Sequence, residues 1–139
     1  MSFVADIDKQ FYHLEGEVLA FELEQKIALF KIIKIDRISL QKNKSYNIAG
    51  IEIIAPENDF FLCVAINIAK SQFNNLEEAV EAIKKQQVNW VLQISPMRPS
   101  GIYSTPIFKT HLFEKINDEE LQAFEQWKSE FLHGKAGVW

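Results

Sequence analysis

Along the chain the spacing of apolar residues switches between two periods, and each switch marks an element. In residues 17–23, Leu19, Phe21 and Leu23 fall on one side with Glu17 at its edge, while Val18, Ala20 and Glu22 fall on the other. This period of two predicts a strand. After Glu24-Gln25-Lys26, residues 27–37 set Ile27, Leu29, Ile33 and Ile35 against Ala28, Phe30 and Ile32, with Lys31 and Lys34 on opposite sides. A strand apolar on both sides belongs in the middle of a sheet. Neither segment contains Gly or Pro, so the pair forms a β-hairpin core.

A polar loop at residues 41–45 leads to a short strand at 51–54, which Pro56 and Asn58-Asp59 end by turn chemistry. Residues 60–68 are apolar at nearly every position, and their aromatic and β-branched content favours a strand over a helix. The period then lengthens. Leu76, Ala79, Val80 and Ile83 form an i, i+3, i+4, i+7 stripe, and Asn75 with Glu78 resembles a capping box, which predicts a helix over 76–87. Residues 88–94 return to alternation, with Val88, Trp90, Leu92 and Ile94 inward and Asn89 and Gln93 toward water. In residues 107–113, Phe108 and Leu112 share one side and Ile107, Lys109, His111 and Phe113 the other.

A last helix starts at Asn117, with Asp118, Glu119 and Glu120 in the first turn, where negative charge suits the helix dipole. Leu121, Phe124, Trp127 and Phe131 supply its apolar face, and Gly134 is suited to end it. The order is ββββ-α-β-β-α, an α+β fold with a mostly antiparallel sheet and two helices packed on it. The first four strands also fit a small SH3-like half-barrel. No repeat or Pro/Gly/Ser-rich linker divides the chain, so residues 1–139 form one expected domain.

Composition adds boundaries rather than a function. A chain of 139 residues with 47% hydrophobic and 24% charged residues has ordinary globular usage, and eleven Phe imply an aromatic core. A net charge of −4 argues against general nucleic-acid binding, which rests on neutralising phosphates. The single cysteine, Cys63, allows no intrachain disulfide and sits in an apolar run. Asp6 and Asp8 stand where a signal peptide would be basic, and the longest apolar run is broken by Asn67, far short of the ~20 residues that cross a bilayer. These features predict a cytoplasmic protein without a membrane segment.

Candidate chemistry is sparse. His13, His111 and His133 have no second ligand at metal spacing, and no nucleophile stands beside a base, so no catalytic, cofactor or metal residue is expected. Paired acids such as Glu77-Glu78 and Glu119-Glu120 sit at helix starts, where the dipole explains them. Residues 95–106, SPMRPSGIYSTP, stand out instead. Pro96, Pro99, Pro106 and Gly101 restrict this backbone, and Arg98 and Tyr103 on it are residue types enriched at binding hot spots. A second patch, Lys31, Lys34, Arg37, Lys42 and Lys44, opposes one acid, Asp36.

Glu15-Gly16-Glu17-Val18-Leu19-Ala20-Phe21-Glu22-Leu23, followed by Lys26-Ile27-Ala28-Leu29-Phe30-Lys31-Ile32-Ile33, resembles the opening strands of the immunity 26 family of bacterial polymorphic-toxin immunity proteins. The resemblance implies a small, cytoplasmic, non-catalytic protein that neutralises a toxin by binding it. It covers only the hairpin and transfers no functional residue.

The expectation is therefore a non-enzymatic protein-binding protein using Arg98 and Tyr103 of 95–106 with either His111 or the acidic last helix. The alternative is a small-molecule-binding or weakly enzymatic domain with a pocket near Trp90, Tyr103 and His111. The expected partner is another protein, with a second copy of this chain as the other candidate and terminal Trp139 as its anchor.

Overall fold

The computed structural model describes residues 2–139, apart from the Leu92 side chain, so the inward placement expected of Leu92 lies outside the described residues. The elements are β1 (Glu17–Leu23), β2 (Lys26–Leu40), β3 (Ser45–Ile48), β4 (Ile51–Ile54), β5 (Asp59–Ala69), α1 (Leu76–Lys84), β6 (Trp90–Met97), α2 (Pro99–Ile102), β7 (Ile107–Phe113), α3 (Asp118–Leu132) and β8 (Gly137–Val138), with a 3₁₀ turn at Asp6–Lys9. The fold is α+β, as the sequence predicts. The short elements β3, α2 and β8 are additions, each too brief to show a period of its own.

Five strands form an antiparallel sheet in the order β6-β5-β2-β1-β7. Its centre is β2, which accounts for that strand's two apolar sides. The first four strands do not close on one another. Because β5 pairs along β2 from Phe30↔Ile68 to Leu40↔Asp59, the second edge of β2 is occupied, and β3 instead pairs with β4 on one side and β8 on the other in a separate sheet.

The pairing of β2 with β5 also shifts register between Ile32 and Lys34. A bulge reverses the sides of the residues beyond it. Ile33 and Ile35, expected together, therefore separate: Ile33 joins Ile38, Leu40, Phe61, Phe124 and Phe131, whereas Ile35 packs with Ile32 and Val64.

Both long helices cover one face. Leu29, Lys31 and Ile33 alternate onto that face; Leu29 clusters with Ala79 and Ile83 of α1, and Ile33 with Phe124 and Phe131 of α3. The Asn75 side chain accepts from the Glu78 amide, but the Glu78 carboxylate accepts from Asn74 rather than Asn75. The first helix stops at Lys84, short of the predicted 87, because Gln86 turns left-handed at φ 55°. In α3 the capping box is complete between Asn117 and Glu120, and Gly134 takes the left-handed conformation that ends the chain's helical run. No helix among the described residues is long and apolar enough to cross a membrane.

Candidate functional site

The face of the sheet opposite the long helices is only partly covered, and it divides into three zones. In the middle, Leu19, Ile32, Val64 and Ile66 lie under Ile102 of α2 and Phe11 of the N-terminal segment. At the β1–β2 hairpin end this cover stops. An apolar groove of about 230 Å³ opens there between Phe21, Phe30, Ile68, Met97, Ile102 and Ile107, with Ser104 and Thr105 at its polar side. At the other end Arg37, Ser39, Lys42, Asn58, Asp59 and Phe60 line an open depression of about 670 Å³.

Beside the groove runs β7, an edge strand that among the described residues pairs only with β1. Its register jumps from Leu19↔Lys109 to Val18↔Leu112, so Thr110 and His111 form a bulge. The Thr110 hydroxyl donates to the Val18 carbonyl at 2.6 Å, and His111 is left-handed at φ 60°. Such a conformation in a non-glycine residue costs about 1–3 kcal/mol and is stored where the surroundings enforce it. Phe108 and Leu112 do share a side, as expected, but Phe108 is exposed because it lies on the outermost strand, and Phe113 is exposed as well.

The four residues expected at a binding site, Arg98, Tyr103 and His111 for a partner and Trp90 for the alternative pocket, are not brought together. Residues 95–106 are no free loop, since 95–97 belong to β6 and Pro99–Ile102 form a helical turn. Arg98 is spent inside the molecule: its Nη1 donates to Asp8 at 3.0 Å and its Nε to the Trp139 carbonyl at 3.1 Å. Asp8 is buried and also accepts from the Ser100 amide at 2.8 Å. Arg98 thus latches both terminal segments onto α2.

Tyr103 is half-buried, with its ring 5.5 Å from Phe11 and 6.3 Å from His13, and burial pushes its phenol pKa up. Trp90 lies on the opposite face, in the helix-side layer with Ile83 and Leu29. His111 is exposed on the edge strand. Among the described residues Trp90, Tyr103 and His111 therefore line no common pocket, because the sheet itself separates the first two.

Two constellations escape a reading of the sequence. On the helix side the Lys31 ammonium is buried, donates to Glu120 at 2.9 Å and to the Lys115 carbonyl at 3.0 Å, and sits 5.0 Å over the Trp90 ring. Glu120 also accepts from Asn67 at 2.7 Å, while Asn67 Oδ1 and Trp90 Nε1 have no partner among the described residues. On the other side, buried Glu17 accepts from the Leu14 amide and lies 3.1 Å from His13 Nδ1. Both pairs span long or irregular stretches of chain, so no local spacing announces them. Cys63 is sealed in the core, and burial, with Asp36 nearby, drives its thiol pKa far up. No group of three metal-ligating side chains occurs among the described residues.

Compared with known proteins, the chain matches no family model, no curated protein and no solved structure. The site must be judged on its own geometry.

Proposed function

We propose that this chain is a non-enzymatic protein-binding protein, of the kind the immunity 26 resemblance implies, acting in the cytoplasm by occupying another protein. The observation that carries this reading is the apolar groove bordered by an open strand edge. Its occupant in this reading is an extended segment of the partner bearing a large apolar side chain. Laid along β7 at residues 107–109, such a segment gains main-chain hydrogen bonds, and its alternate side chains turn toward the groove that Ile107 lines. Volume favours a side chain over a free ligand: about 230 Å³ is below the roughly 300–1,000 Å³ of ordinary small-molecule sites.

Co-expression with the product of the gene next to its own, followed by calorimetry on the purified pair, tests the proposal. The expected result is a complex that Thr105→Arg, which blocks the groove mouth, weakens at least tenfold, or about 1.4 kcal/mol. Undiminished affinity in Thr105→Arg and in Ile107→Ala would remove the groove from the account.

A further inference from the structure

The basic patch between residues 31 and 44 is not a uniform surface. Lys31 is buried on Glu120, and Asp36, the one acid of the stretch, is engaged by Lys128 at 2.7 Å. Of the other four cations, Lys34 and Lys44 do not line the depression at the far end of the second sheet face, whereas Arg37 and Lys42 stand on its walls, both exposed and without an ion-pair partner among the described residues. Arg37 is held in place. Its guanidinium carbon lies 3.7 Å from the centre of the Phe60 ring, close enough to stack. A ring face engages the cation without consuming a single N–H, so the whole planar fork of donors stays available.

The one acid lining this depression is Asp59, and its charge is directed away. Burial alone would raise its pKa, but hydrogen bonds from Lys9, Ser2 and the Val4 and Phe60 amides outweigh burial and hold it well below the usual carboxylate range. The Lys9 ammonium, 2.7 Å from its Oδ1, cancels that charge locally. The depression therefore presents two uncompensated cations, one of them pre-ordered. Pre-ordering lowers the entropy lost on binding. Planar or tetrahedral oxyanions match a guanidinium fork, with two parallel N–H···O bonds.

We propose that this depression is an oxyanion site, in which Arg37, fixed by Phe60, and Lys42 together hold the carboxylate or phosphate group of a small ligand. The site is independent of the groove and stands whether or not the groove takes a partner.

The test is a nitrogen-15 NMR titration of the full chain with sodium phosphate and, separately, with sodium acetate, each against sodium chloride at equal ionic strength. Saturable shifts of the Arg37 Nε–H and of the Lys42 and Phe60 amides are expected, with a dissociation constant on the order of 1 mM. Saturation by phosphate alone identifies a phosphate site, and by acetate alone a carboxylate site. Arg37→Gln should weaken binding at least tenfold with an unchanged melting temperature. If that variant does not fold, Lys42→Gln serves, with an expected loss of threefold or more. Shifts no larger than those in chloride, or affinity unchanged in the folded variant, would overturn the proposal.

Discussion

Glu120 illustrates how one side chain does several jobs that its position in the sequence suggests only in part. At the third position of α3 it closes the capping box with Asn117, as its place in the first turn predicts. The same carboxylate is buried and neutralises Lys31 from the middle of β2. Removing one member of a buried ion pair leaves the other charge without compensation, which costs about 3–5 kcal/mol. Glu120→Ala should lower the urea-unfolding free energy by that amount, whereas Lys31→Met combined with Glu120→Leu should recover most of it. Equal losses in the single and double variants would show that capping rather than pairing dominates.

Asp59 gives a second residue-level prediction, set by pH. Its folded pKa lies below the ordinary aspartate value of 3.8, so it contributes stability above that pH and loses it progressively as pH falls toward the folded value. Melting temperature should fall more steeply below about pH 4 in the parent chain than in Asp59→Asn. Parallel pH profiles would contradict the assignment.

At the scale of elements, long periodic segments were legible and turn-defined ones were not. The seven-residue β1, the fifteen-residue β2 and α3 declare themselves by alternation or a 3.6-residue stripe. By contrast, β3 has four residues, all paired with the adjacent β4, and the two residues of β8 form a strand only because they find β3 across the chain. The β2 bulge was invisible too, since a single register shift leaves no mark on composition, yet it decided which face Ile35 joined. The candidate site suffered most. Residue types marked 95–106 as a hot spot, but the partners of Arg98 are Asp8 and Trp139, far away in sequence.

The hairpin carries its own prediction. Its two turn residues, Glu24 and Gln25, are left-handed at φ 51° and 67°, a conformation that favours Asn-Gly. Left-handed backbone costs an ordinary residue about 1–2 kcal/mol. Glu24→Asn with Gln25→Gly should therefore raise stability by about 1–2 kcal/mol, read as a higher melting temperature. No change would mean that strand pairing, not the turn, sets the hairpin's energy.

For the whole molecule, the two sheet faces divide the labour. One is closed by α1 and α3 around an aromatic core of Phe61, Phe124, Trp127 and Phe131. The other carries the strap of terminal segments and α2, with an apolar opening at one end and a cationic opening at the other. Arg98 joins both terminal segments to this strap, so the partly open face is framed by contacts between residues far apart in sequence.

The kink at Thr110 and His111 bears on how this outer strand meets a second copy of itself. A straight outer strand is a template on which identical molecules stack into fibres, and an irregular one interrupts the template after a few rungs. Excising Thr110 and His111 should straighten the margin and turn a clear solution cloudy, measurable as light scattering that grows with concentration. Clouding in the excised variant would mark the strained histidine as a guard against polymerisation, and the length of straight backbone beside it as the most that the extended segment proposed above could use.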